Sequence, residues 1–453
     1  MPAMNFRFSV LVIEDTPLWS KQMGTALSET LGRQNNRFRW GFANSSQETL
    51  KKLSQSRYHF LSIDQNIPVL KEDAVSPDVG LGLNKILSNM NYSGLRAIYT
   101  AHGELHWANK AGQDGSCPYL VKSTSGENHP EKNIFTVYGW AEWIGAALEE
   151  RYLPSTLKLA GARLPFRMGE RARLAEDHLA SQNSKEYLAQ VCRLWECALN
   201  LAWAQTAALC LTSGIPIGRF PDDKPVHWQE SLGDLWPRLA ERGWLAPWRR
   251  YVGKGSPDNG SGAGERFLVN GSEPLRQIRN MLAHSEKGEA LALTDGSVDR
   301  LVHQARDPLL FLMDALAHWV EHPFLLAPVR HPHVEAALVG RALAGSSRPF
   351  AEMVVEMPKM RALPQTIGHP STRNHLYLPW SLADGSSQLV PLYPFIQIDR
   401  HPTTGVDDLV VMVGRSARGG ALWRSLTDMQ VRTDPARDAA ARDALNLLFG
   451  GRR

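Results

Sequence analysis

Cysteine is scarce. There are four in 453 residues (Cys117, Cys192, Cys197 and Cys210), with no Cys-x-x-Cys pair and no His-spaced zinc pattern. That excludes a disulfide framework and a cysteine-based zinc site, and predicts reduced thiols. An excess of one charge is missing too: 50 Lys plus Arg face 46 Asp plus Glu, a formal net charge of +4. So small an imbalance does not attract nucleic acid through the bulk field, and any RNA or DNA contact must be local. Uninterrupted apolar runs of membrane length are absent. The two most apolar helical stretches are broken by Asn200 and Gln205 in one case and by Asp314 and Glu321 in the other. Met1-Pro-Ala-Met-Asn-Phe-Arg7 leads directly into a strand without the apolar core of an export signal. The expectation is a cytoplasmic protein with no membrane partner. The Gly/Ser-rich stretch 253–264 has no Gly-Lys-Ser/Thr after a strand, so it is a linker and not a phosphate loop. No solenoid-period repeat occurs. No helix-turn-helix pattern is found, which argues against sequence-specific DNA binding.

What is present divides into three segments, in keeping with roughly 150 residues per domain. Residues 6–150 alternate short apolar runs (Phe8–Ile13, Phe38–Phe42, Phe60–Ile63, Ala97–Tyr99, Tyr119–Val121) with amphipathic runs (Leu18–Leu31, Gln47–Ser54, Gly82–Asn89, Thr136–Arg151). This βα alternation predicts an α/β domain with a doubly wound, five-stranded parallel sheet. Residues 152–335 carry helical periodicity at Lys185–Leu211, Leu232–Arg242, Glu273–His284 and Val298–His322, and predict an all-α module. Residues 350–450 return to strand-like runs at Met353–Met357, His375–Leu378, Leu389–Ile398 and Leu409–Val413, then an amphipathic helix at 434–449: a small β-rich module.

Acidic residues of the first segment fall at strand ends, where open parallel sheets place their ligands. Glu14 and Asp15 follow the first strand and Asp64 follows the third. Three converging carboxylates make a hard oxygen site suited to Mg2+. Thr100 and Lys122 end the next two strands and offer a hydroxyl and an ammonium for a phosphoryl group on Asp64.

This set resembles the receiver domain of bacterial response regulators, through Val10-Leu-Val-Ile-Glu14-Asp15, Ser62-Ile-Asp64-Gln-Asn66-Ile-Pro68, Thr100-Ala101 and Lys122. The resemblance implies that Asp64 is the phosphoacceptor, and that Glu14, Asp15, Asp64 and the backbone carbonyl of Asn66 hold Mg2+. It further implies that Lys122 pairs with the phosphoryl group and that Thr100 with Tyr119 carries the switch. Its implied partner is a sensor histidine kinase. Two features depart from the common receiver pattern: the loop Val69–Val79 is longer, and Ser123 follows the lysine where proline is usual.

In the helical segment, Leu275, Ile278 and Leu282 recur at helical spacing, and Asn280 and His284, four apart, share one face beside Arg279. An Arg and a titrating His fit phosphodiester chemistry, one on the phosphate charge and the other as acid or base. With the preceding long helix, this Arg-Asn-x-x-x-His element resembles HEPN modules. In HEPN ribonucleases two protomers join their motifs and cleave RNA without metal, which would make the protein a homodimer and RNA a partner. The alternative is that Arg279 and Asn280 make buried packing contacts while His284 caps the last turn. In the last segment, His369, His375 and His401 are scattered, and Tyr377, Trp380, Tyr393 and Phe395 read as packing aromatics.

Three readings follow: a signalling protein phosphorylated on Asp64 that buffers phosphoryl groups or regulates through its helical module, with phage defence as its family association; a phosphorylation-controlled ribonuclease using Arg279 and His284; and a scaffold built on an unreactive receiver.

Overall fold

A computed structural model gives the fold. It describes residues 8–32, 38–55, 58–89, 92, 94–101, 108–109, 117–152, 164–217, 225–244, 268–269, 272–286, 295–333, 337–344, 352–357, 359–360, 375–382, 384, 386–415, 421–433 and 446. The linker 253–264, His369 and the terminal helix read at 434–449, apart from residue 446, lie outside these. The chain divides into two compact units, one over Met1–Leu153 and one over Pro154–Arg249 and Gly264–Arg453.

The first unit contains strands β1 (Phe8–Ile13), β2 (Phe38–Ala43), β3 (Phe60–Ile63), β4 (Leu95–Thr100), β5 (Tyr119–Lys122) and β6 (Ile134–Phe135). Its helices are α1 (Pro17–Thr30), α2 (Ser46–Gln55), α3 (Pro77–Asn89) and α4 (Val137–Tyr152). The sheet is parallel, in the order β2-β1-β3-β4-β5-β6. It therefore has six strands where the sequence predicts five. β6 is two residues long, too short to stand out as an apolar run, and it joins the edge through Val121–Ile134 and Lys122–Phe135. All six residues of β1 and all four of β3 are buried, as expected of strands covered on both faces. The order reverses between β1 and β3, and this switch point of a flavodoxin-like sheet opens a crevice at the strand carboxyl ends. The loop read as reaching Val79 is shorter, because α3 begins at Pro77, where the fixed φ of proline suits a first helical turn.

The second unit is built around α6 (Ser184–Ser213), a 30-residue helix buried at every position from Cys197 to Cys210. A helix apolar on all sides belongs at a centre. Here α6 contacts α5 (Met168–Ala180), α7 (Pro225–Glu241), α8 (Glu273–Glu286) and α9 (Asp295–Glu321). The Asn183 side chain caps its start by accepting from the Glu186 N–H at 3.3 Å, and Gly214, at φ +68°, takes the left-handed position that ends it. The polar residues within its apolar run are used. Trp319 Nε1 donates to Gln205 Oε1 at 2.9 Å, and Trp236 Nε1 donates to Thr206 Oγ1 at 3.0 Å. Among the described residues no helix is long and apolar enough to cross a membrane.

Two antiparallel sheets complete this unit. One has five strands in the order β11 (Ser387–Pro391), β10 (Leu376–Ser381), β7 (Leu325–Arg330), β8 (Ala337–Ala342) and β9 (Glu352–Glu356). The other runs β12 (Ile396–Arg400), β13 (Asp407–Arg415), β14 (Ala421–Ser425), β15 (Val431–Thr433). β7 thus falls inside the stretch that reads as helical. Helix and sheet are joined by two buried arginines of the α5 region: Arg167 donates to the carbonyl of Asp407, and Arg171 to those of Leu426 and Thr427. Tyr377, Trp380 and Phe395 are buried, and Tyr393 stacks on His375 at 4.1 Å. His401 bonds Asp428 at 3.0 Å. These groups serve packing and connection.

Candidate functional site

The crevice at the carboxyl ends of β1 and β3 is where the predicted acidic residues meet. Glu14 and Asp64 are each the first residue beyond a buried strand and are tied to the neighbouring strand by their backbone: Glu14 N–H donates to Ala43 O and Asp64 N–H to Ile13 O, both at 2.9 Å. One carboxylate oxygen from each of Glu14, Asp15 and Asp64 lies within 4.8 Å of the others. Lys122 reaches in from the end of β5, its Nζ donating to Glu14 Oε2 at 2.6 Å and Asp64 Oδ2 at 3.0 Å. Both Lys122 and Glu14 are sealed from solvent, their side chains 2% and 0% exposed.

Three carboxylates and one ammonium leave the cluster at a formal charge of −2. A buried excess of this sign is costly unless a cation compensates it. Burial pushes the Glu14 carboxyl above its ordinary range; Lys122 opposes that shift and the charge of Asp64 adds to it. The donor set fits a divalent cation. Oxygens around Mg2+ at about 2.0–2.1 Å stand roughly 3–4 Å apart, a spacing this cluster can supply. Asn66 Oδ1 is buried with no hydrogen-bond donor among the described residues, and it sits two residues beyond Asp64.

Aromatic residues enclose the lysine. The Trp19 ring lies 4.9 Å from Lys122 Nζ and the Tyr99 ring 5.6 Å. Such contacts add roughly 0.5–2 kcal/mol each, more when desolvated. Tyr99 is held in turn by stacking on Trp140 at 5.2 Å and by donating to Phe135 O at 3.1 Å. Sequence reasoning missed both rings. A signal for Trp19 was available: four residues beyond Asp15, it is on the first turn of α1 and so at the same end of the sheet.

Thr100 is fully buried at the end of β4, one strand from Asp64. Tyr119 is turned inward, and its hydroxyl donates to Gln65 Oε1 at 2.6 Å. It therefore bonds the residue next to Asp64. Helix α3 presses on the same loop at Gly80, where a Cβ would lie 2.2 Å from the carbonyl oxygen of Asp64.

The second predicted constellation is arranged otherwise. Arg279 and Asn280 are exposed on α8, which runs two residues past His284 and ends at Glu286. The expected buried packing role for them is therefore not what is found. Arg279 Nε donates to Glu196 Oε1 of α6 at 3.0 Å, and its Nη1 donates to Asn280 Oδ1 at 3.3 Å.

No family model matches the chain, and no curated protein matches it. Among solved structures, the receiver domain of a Francisella response regulator is 21% identical, covering 32% of this chain and 98% of its own, with a TM-score of 0.25. A receiver domain protein from Methanospirillum hungatei is 14% identical over 32% of this chain and 96% of its own, TM-score 0.24. A Burkholderia pseudomallei response regulator, described with a phosphorylated aspartic acid, a calcium ion and citrate, is 24% identical over 32% of this chain and 68% of its own, TM-score 0.23.

Proposed function

We propose that the first unit accepts a phosphoryl group on Asp64 from a partner histidine kinase, and that the chain works as a two-component signalling protein, as phosphoryl buffer or as regulator. The single observation that carries this reading is Lys122 Nζ set 3.0 Å from Asp64 Oδ2, inside a cluster of three carboxylates at the sheet's switch point. An ammonium held against one carboxylate of a −2 cluster is the arrangement needed for a dianionic phosphoryl group to approach Asp64.

In this reading Asp64 Oδ attacks phosphorus in line with the leaving group. The O–P bond to Asp64 forms as the donor's P–N or P–O bond breaks, and the leaving imidazole or carboxylate departs with the electron pair. Glu14, Asp15, Asp64 and Asn66 would hold Mg2+, which when bound offsets charge on the transferring phosphoryl oxygens. Lys122 shifts its bonds from the two carboxylates to the new phosphoryl oxygens, while Trp19 and Tyr99 keep the ammonium in the crevice. Thr100, the hydroxyl on the adjacent strand, and Tyr119, already bonded beside Asp64, are the groups through which the new dianion would alter the surface.

The test is incubation of the whole chain with magnesium and acetyl phosphate, read by intact mass. One phosphoryl group, removed by hydroxylamine and not acquired by Asp64→Ala, is the expected result. A chain that gains none from acetyl phosphate or from a cognate kinase contradicts the reading.

A further inference from the structure

An ammonium carries three N–H groups. On Lys122, Glu14 Oε2 at 2.6 Å and Asp64 Oδ2 at 3.0 Å accept two of them, and among the described residues there is no third acceptor. The ammonium meets the rings of Trp19 at 4.9 Å and Tyr99 at 5.6 Å instead. The two rings are held differently. Tyr99 is 1% exposed and belongs to the core, stacked on Trp140. Trp19 is half-buried on the first turn of α1, so it is the ring that stands between the ammonium and solvent. That turn is fastened to the crevice. Thr16 N–H donates to Glu14 Oε1 at 3.1 Å, Ser20 Oγ donates to the Glu14 carbonyl at 3.3 Å, and Pro17 fixes φ at the first helical position. Leu18, the neighbour of Trp19, is 64% exposed. The backbone that turns Leu18 outward and Trp19 inward is thus tied to one of the lysine's own partners.

We propose that Trp19 is a positioning residue that keeps water off the Lys122 ammonium, and that it thereby sets how fast Asp64 gains a phosphoryl group and how long Asp64 keeps it. The inference rests on the reading of Asp64 as phosphoacceptor and deepens it by naming the residue that times the modification. Its physical basis is local dielectric. An ammonium facing an aromatic ring attracts a phosphoryl oxygen more strongly than one facing water, because the attraction falls as the effective dielectric rises. Loss of the phosphoryl group is a hydrolysis: water oxygen bonds to phosphorus, the P–O bond to Asp64 breaks, and its electron pair restores the carboxylate. Both water hydrogens end on the departing phosphate. A chain without the Trp19 ring admits water to this space, which weakens the pull of Lys122 and supplies the attacking molecule. Loading then slows and loss quickens.

The test compares the full chain with Trp19→Leu, which keeps an apolar side chain without a π face, and Trp19→Phe, which keeps the face. Each is loaded with acetyl phosphate and magnesium, freed of donor, and followed by intact mass, with melting curves to show that the variants are folded. Trp19→Leu should load about three- to tenfold more slowly and lose the group faster by a similar factor, the rate equivalent of one partly desolvated cation–π contact. Trp19→Phe should recover most of both changes, which a purely structural role for the side chain would not require. A second readout needs no phosphodonor: with 13C-labelled lysine, the Lys122 ε-methylene NMR signal, displaced by the neighbouring rings, should move in Trp19→Leu and stay close to the parent's in Trp19→Phe. Equal loading and loss in the parent and Trp19→Leu, identical behaviour of the two variants, or a Lys122 signal that does not move in Trp19→Leu would overturn the proposal. A parent chain that takes up no phosphoryl group while its Lys122 signal moves as expected would instead contradict the reading of Asp64, and the timing role would fall with it.

Discussion

Lys122 and Glu14 form a buried ion pair, Nζ to Oε2 2.6 Å, on which the crevice at the strand ends is centred. The pair is asymmetric in consequence, since the lysine also serves Asp64 while the glutamate stays raised in pKa by its burial. Removing one partner of a buried pair strands the other charge, at about 3–5 kcal/mol. Lys122→Met is therefore expected to lower stability by that order in EDTA, because three carboxylates then face each other without a cation. Magnesium should recover more of the loss in the variant than it adds to the parent, as binding to the folded state alone requires. Thermal melts with and without magnesium check this; equal magnesium shifts in both proteins would contradict it.

Gly80→Ala is expected to damage the same crevice from the helix side. The added Cβ would lie 2.2 Å from Asp64 O and 2.7 Å from Gln65 O, both backbone atoms that have little room to retreat. Overpacking of this kind costs about 1–3 kcal/mol or more. The variant should melt earlier and take up phosphoryl groups more slowly, whereas Gly82→Ala, with open space around its Cβ position, should do neither.

The four cysteines should be silent in the native protein. All are buried, and burial pushes the thiols of Cys192, Cys197 and Cys210 up to about 12 and that of Cys117 up to about 11. The thiolate is the reactive form, so Ellman's reagent at pH 8 should find no fast-reacting thiol and then four on denaturation. A thiol reacting fast in the native state would show that one of these positions opens.

Asp428 is held below the usual carboxylate range. Burial works against this, and hydrogen bonds from the Gln430 backbone N–H, His401, Arg432 and Ser425 outweigh it. A carboxyl with a depressed folded-state pKa contributes stability above its unfolded value, near 4, and loses it as the pH falls through the folded value. Asp428→Asn should therefore lower Tm at pH 7, with the gap to the parent narrowing as the pH is taken below about 4. A gap that does not change with pH would mean the carboxylate charge is not what matters.

The parts legible in the sequence are those where one strand or helix carries the signal. β1 and β3 end where their apolar runs end, and the residues just beyond them, Glu14, Asp15 and Asp64, are the ones that meet. What escaped depends on partners far along the chain. Trp19 and Tyr99 matter because both rings lie against the ammonium of Lys122, a residue far along the chain from each. α5 was missed because its buried face holds Gly169, Arg171, Ala172 and Ala175, a mixture of small and charged residues that shows no apolar stripe. The run read as one strand from Leu389 to Ile398 is two, since Pro391 and Pro394 cannot donate to a continuous ladder. The hydrogen bond from Arg424 to Asn200 joins residues 224 positions apart, beyond the reach of any local pattern.

The most direct test of the central claim is to locate the phosphoryl group. After reaction with acetyl phosphate and magnesium, borohydride reduction converts an aspartyl phosphate to homoserine, and peptide mass spectrometry reads its position. Homoserine at position 64, lost in Lys122→Met, is the result expected of a crevice in which the ammonium guides transfer to Asp64. Homoserine at another acidic residue, or none at all, would contradict it.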